Sequence, residues 1–186
     1  MDIKTVENLP DNYTVIDIET TGLSNTKNEI IELSAIRIRN NKISDTFTTL
    51  VKPNGYISSF IKNLTGITNE MVSNAPSISE ILDKYLNFIG EDTIVGHNVR
   101  FDIGFIHNNS LKHYNKSFLN NSIDTCKLAK KFTDLKRKNL ETVANYFNID
   151  TTGHHRAERD CIMTFGIYNA MKNLNNTENN NAQCNA

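Results

Sequence analysis

Two carboxylates set two residues apart inside an apolar run constrain this chain more than any other feature. Val15, Ile16 and Ile18 make the short β-branched run of a buried strand, and Asp17 and Glu19 interrupt it. Residues i and i+2 of a strand point to the same face, with Cα atoms about 6.6 Å apart. Two acids buried on one face repel each other and lose their hydration. A divalent cation between them removes both penalties, whereas an edge strand would leave them in water. Thr20, Thr21 and Gly22 then end the strand, with amides and hydroxyls that could hold an anionic group.

The remaining pattern is that of one α/β domain with a predicted span of residues 1–173. Alternation predicts a second strand over Glu29–Arg39 and a third over Ile43–Val51, joined by a turn at Asn40 and Asn41, so the first three strands form an antiparallel meander. A short helix is expected over Ser59–Leu64, with Thr65–Thr68 as turn and cap. Ser77 and Glu80 make a capping box that opens an amphipathic helix closed by Gly90. Short strands follow at Thr93–Val95 and around Ile123. Helices are expected over Val99–Asn108, over Thr125–Phe132, around Leu140–Phe147 and over Arg156–Lys172. Residues 174–186 are Asn-rich and aperiodic, which predicts a disordered tail.

Two more acids fall where a solvated acid should not. Asp102 shares a helical stripe with Val99, Ile103 and Ile106; Asp160 shares one with Ala157, Cys161 and Thr164. With Asp17 and Glu19 they make four inward carboxylates. Oxygen-only ligation favours Mg²⁺ or Mn²⁺ over zinc or copper. It also suits two-metal phosphodiester hydrolysis, in which both ions clamp an in-line transition state. A general base is then wanted. His155, five residues before Asp160, can turn toward the same site, while its neighbour His154 is expected to diverge from it.

Charge and cysteines narrow the setting. A net charge of −1 excludes a bulk polycation, yet Lys127, Lys130, Lys131, Lys136, Arg137 and Lys138 crowd one short segment with Asp134 as its single acid. That segment is either a solvated helix and loop or a phosphate-tracking patch. Cys126, Cys161 and Cys184 are odd in number and widely spaced, which argues against a disulfide framework and fits a cytoplasmic location. No apolar stretch approaches a membrane span.

Asp17–Gly22, then Gly96–Asp102, then His155–Asp160 resemble the three motifs of the DEDDh 3′→5′ exonucleases, a group related to the proofreading exonuclease of bacterial replicative polymerases. Leu64–Thr68 with Met71 and Val72 resembles the segment that bacterial proofreading members carry between the first two motifs. The resemblance implies a ribonuclease H-like fold: a mixed five-stranded sheet, three antiparallel strands then two parallel, flanked by helices. It implies a first divalent cation (Mg²⁺ or Mn²⁺) on Asp17, Glu19 and Asp160, and a second bridged by Asp17 and supported by Asp102, with His155 as base. It further implies that Thr20, Thr21 and Gly22 hold the terminal nucleotide, that Leu23 wedges against its base, and that Asn98 and Phe101 line the pocket. The expected substrate is the 3′ end of DNA, single-stranded or frayed, with release of 5′-mononucleotides in proofreading, repair or end trimming. RNA 3′ trimming is the alternative, and a catalytically silent nucleic-acid-binding module a more distant one. Proofreading subunits usually continue into a polymerase-binding segment, and the short tail here favours a free-standing nuclease at least as much as a polymerase partner.

Overall fold

The computed structural model describes the backbone of residues 9–184 and the side chains of residues 9–177. The first eight residues and the last two, which the predicted domain and tail include, lie outside the described residues, as does the side chain of Cys184. In chain order the elements are β1 (Tyr13–Thr20), β2 (Ile30–Arg39), β3 (Lys42–Leu50), α1 (Ser59–Thr65), α2 (Asn69–Val72), α3 (Ile78–Ile89), β4 (Ile94–Gly96), α4 (Arg100–Tyr114), β5 (Ser122–Asp124), α5 (Thr125–Phe132), α6 (Leu140–Tyr146) and α7 (Ala157–Cys184).

The sheet order is β3-β2-β1-β4-β5. β1 to β3 are antiparallel, and β4 and β5 run parallel to β1. This is the mixed sheet of the ribonuclease H-like fold. The β2–β3 hairpin closes through Asn40 and Asn41, both with positive φ (51° and 58°), the turn whose twist matches the flanking strands. β1 is central and apolar on both faces. Ile16 and Ile18 pack with Leu33, Ala35 and the inner sides of α3 and α4, while Tyr13 and Val15 pack with Ile36, Ile38 and Cys161 and Tyr168 of α7. α5 and α6 seal the far side of α7 through Ala129, Val143, Ala144 and Met163. Among the described residues no helix is long and apolar enough to cross a membrane.

Three elements depart from the sequence pattern. α2 is an unexpected single turn, started by the Thr68 hydroxyl accepting from the Met71 amide. α4 runs to Tyr114 rather than Asn108. Its polar run Asn108–Ser110 is held by the Asn109 side chain on the Phe105 carbonyl and by Ser110, which is buried. The last helix continues to Cys184 instead of stopping near Lys172, so residues 174–184 carry helical backbone where composition predicts a disordered tail. No glycine or proline stands there to stop it, and Lys131 of α5 reaches across to Asn175.

Candidate active site

The strand pairing puts Asp17 and Glu19 on the α7 side of β1, opposite Ser34 and Glu32 of β2. Asp160, in the first turn of α7, comes down onto that face. Carboxylate oxygens of Asp17, Glu19 and Asp160 lie within 4.8 Å of one another. Asp102 arrives from the other side of the sheet, in the first turn of α4. β4 pairs with β1 only at Thr14 and Val15, so the Ile18 amide is left open on that edge, and Asp102 Oδ1 accepts it at 3.1 Å. Gly96 permits this approach: a Cβ there would sit 2.5 Å from Val99 Cγ2 and 3.3 Å from the Ile16 carbonyl. Asp102 stands outside the three-residue group but within its electrostatic reach.

Desolvation pushes the Asp17 carboxyl well above the usual range, and Asp102, Asp160 and Glu19 push it further. Glu19 is raised to about 8, by burial first and then by Asp160. Asp102 is also raised by burial, against the opposing hydrogen bond from Ile18. Among the described residues none of Asp17, Glu19 and Asp102 makes an ion pair. The four acids form a concentrated negative site that a hard cation would relieve.

Of the two histidines, His154 differs from expectation. His155 adopts a left-handed backbone (φ 68°), which swings two consecutive side chains to one side. Their rings stack at 3.8 Å and 25°. His154 therefore does not diverge: its Nδ1 lies 2.7 Å from Asp160 Oδ1. Both ring systems offer a nitrogen within 4.8 Å of Asp160. The Asp160 contact pulls the His154 pKa up, whereas burial and the neighbouring His154 pull that of His155 down.

The turn after β1 is already well satisfied internally. The Thr20 hydroxyl donates to the Gly22 carbonyl at 2.7 Å, the Thr21 amide donates to the Glu29 carbonyl, and the Thr21 hydroxyl accepts the Glu29 amide. The Thr20 hydroxyl proton and the Thr21 amide are therefore already spent, contrary to expectation, whereas the Thr21 hydroxyl only accepts here and keeps its own proton to donate. Gly22 is wedged against Asn28, whose amide lies 2.7–2.8 Å from where a Cβ would be. Leu23 is 87% exposed, which removes core packing as its role. Asn98 is exposed and left-handed (φ 60°), its amide donating to Asp124 Oδ1 at 2.9 Å. Phe101 is half-buried, tilted against Phe105 at 5.0 Å.

Sequence reasoning missed Glu32. Buried in β2 opposite Glu19, it accepts from Arg156 Nη2 at 2.6 Å and from the Ala157 amide at 3.0 Å, so it fixes the N-terminus of α7. Its signal was an acid inside the apolar run Ile30–Leu33. His97 was likewise unassigned. It joins Thr125 Oγ1 (2.9 Å) to the Lys138 carbonyl (2.7 Å).

A profile of the Exonuclease family (RNase_T) matches residues 14–168. The chain is 42% identical over 168 residues to DNA polymerase III subunit epsilon of Aquifex aeolicus, covering 89% of this chain and 83% of that protein. It is 45% identical over 157 residues to the PolC-type DNA polymerase III of Caldanaerobacter subterraneus, 84% of this chain but only 11% of that one. Among solved structures, exonuclease X in complex with 5′ overhanging duplex DNA is similar at a TM-score of 0.72 and 25% identity, covering 87% of this chain and 91% of that one. The zinc-bound complex of E. coli exonuclease I with single-stranded DNA has a TM-score of 0.74 at 18% identity, covering 84% and 39%, a likeness of fold.

Proposed function

This chain belongs to the Exonuclease family, and from that premise we propose that it removes nucleotides one at a time from the 3′ end of DNA at the Asp17–Glu19–Asp102–Asp160 site. It is a 3′→5′ exonuclease of the kind represented by the epsilon subunit of DNA polymerase III. The observation that carries the site assignment is the convergence of four acids from β1, α4 and α7 with no ion-paired cation on three of them.

The donor set fits two divalent cations, Mg²⁺ or Mn²⁺. Asp17, Glu19 and Asp160 would hold one, and Asp17 with Asp102 the other. What such ions supply is neutralisation of charge on the phosphoryl group during in-line displacement. His155 takes the proton from the attacking water. Its lowered pKa keeps it neutral near pH 7, while His154 is committed to Asp160. The new P–O bond forms from that water, the P–O3′ bond breaks, and the departing 3′-oxygen takes a proton from solvent. A 5′-mononucleotide leaves. Exposed Leu23 is suited to wedge against the terminal base, and Phe101 beside Asn98 to face its sugar and base. The turn holding Thr20, Thr21 and Gly22 shapes the terminal subsite, and the Thr21 hydroxyl has its proton available for the terminal nucleotide. DNA is favoured because the named relatives are a DNA polymerase subunit and a DNA-bound exonuclease; on the same ground we propose a proofreading role beside a polymerase.

The test compares matched 3′-labelled single-stranded DNA and RNA with Mg²⁺ or Mn²⁺. Stepwise shortening of DNA, slowed at least about a hundredfold in His155→Ala, is expected. RNA cleaved orders of magnitude faster than DNA would move the enzyme to RNA trimming, and unchanged rates in the variant would remove His155 as the base.

A further inference from the structure

The basic segment on α5 and the loop after it is not used by this chemistry. Lys127 and Lys130, three apart, share the outer face of α5 with Lys131, while Leu128, Ala129 and Phe132 turn into the core. Lys136 and Arg137 are exposed on the loop. Lys131 is taken up by Asn175, and Lys138 by the Leu135 carbonyl. Lys127, Lys130, Lys136 and Arg137 have no side-chain hydrogen bond or ion pair among the described residues. Other lysines, such as Lys62 and Lys84, are also unpaired among the described residues; these four differ in lying together in one segment, residues 127–137, with Asp134 as its single acid. Asp124 is not available to neutralise them, since its carboxylate accepts from the amides of Asn98, Cys126 and Lys127.

Those contacts also locate the patch. Asp124 ties the start of α5 to the Asn98 turn, and His97 ties the Lys138 carbonyl to Thr125. Two residues beyond that turn α4 begins, and its first turn carries Asp102. His97 also lies within the electrostatic reach of Asp160 and His154. The basic loop is thus fastened by two anchors to the rim of the acid cluster. A chain of phosphates approaching a site of four carboxylates is favoured by positive charge nearby, and this segment supplies it beside the cluster.

We propose that Lys127, Lys130, Lys136 and Arg137 form a phosphate-tracking rail that holds the single-stranded nucleic acid upstream of the nucleotide being removed. The proposal rests on the nuclease reading above and extends it to the body of the substrate. Contacts of this kind are to phosphates, so they are indifferent to base and to sugar, and they weaken with salt.

The experiment measures binding of the full-length chain to a labelled single-stranded DNA, and to the RNA of equal sequence, in chelator and over a range of salt. Each phosphate contact contributes roughly 0.7 to the slope of log affinity against log salt on single strands. The variant Lys127→Ala/Lys136→Ala/Arg137→Ala is expected to flatten that slope by about 2 and to bind both strands at least about tenfold more weakly at low salt. Lys127→Arg/Lys136→Arg should keep the wild-type slope. Lys62→Ala/Lys84→Ala, which removes exposed lysines on α1 and α3, should also leave it unchanged. An unaltered slope in the triple variant overturns the rail, as does an equal loss in the Lys62/Lys84 pair, which would mean only a diffuse field. Because binding is read without turnover, a wild type that cleaves neither strand would refute the nuclease reading while these isotherms still decide the rail.

Discussion

A carboxylate that loses water without gaining a cation prefers its proton, and Asp17, Glu19 and Asp102 are all raised in this way. Burial and four neighbouring acids raise the Asp17 pKa, and Glu19 follows to about 8. Groups with raised folded-state pKa values stabilise the fold at low pH and lose that contribution as pH rises through the folded value. In chelator, the wild type therefore loses stability from this cluster between the ordinary carboxylate range and about pH 8. Asp17→Asn removes one repelling charge at nearly constant shape. Its melting temperature is expected to exceed that of the wild type by on the order of a few °C, with the gap growing as pH rises across that window. Thermal scans in EDTA at several pH values read it directly. A variant less stable than wild type throughout would mean that Asp17 is held by contacts other than repelling neighbours. The two histidines make the complementary point. A left-handed backbone at His155, invisible in residue order, brings His154 as well as His155 to Asp160, and His154 takes the hydrogen bond.

At the level of elements, catalytic geometry depends on how α7 is seated on the sheet. Glu32 receives both the Arg156 guanidinium and the first amide of α7, so one buried acid sets the position of the turn that carries Asp160. Glu32→Gln keeps the shape and removes the charge. A loss of about 1–3 kcal/mol is expected, toward the low end because the Arg156 side chain is 42% exposed and screened. Nuclease activity should fall further than stability, since a small displacement of α7 opens the acid cluster. Urea denaturation beside a rate assay on the same preparation separates the two. Full activity with full stability would mean that the α7 packing on Tyr13, Val15 and Ile36 seats the helix alone.

Across the whole molecule, what was legible in the sequence was what periodicity encodes. β1 to β3, the capping-box helix and the inward stripes bearing Asp102 and Asp160 all follow from side-chain alternation or helical spacing, and they appear where it puts them. What was not legible depended on hydrogen bonds between distant segments. The Thr20–Gly22 turn spends its groups on Glu29 and on itself, Glu32 acts on a helix more than a hundred residues away, and α7 outruns its apolar stripe with Lys131 on Asn175. The site joins both kinds of information: stripes turn the acids inward, and long-range bonds bring them together. The most direct test of the central claim follows the two ends of one single-stranded DNA, labelled differently, in Mg²⁺ with wild type and Asp17→Asn. The account predicts that the 3′-terminal label leaves first, as a 5′-mononucleotide, while the 5′ label stays on a shortening ladder. It also predicts a loss of at least about a thousandfold in the variant. First release from the 5′ end, internal cuts, or a variant as fast as wild type would contradict it.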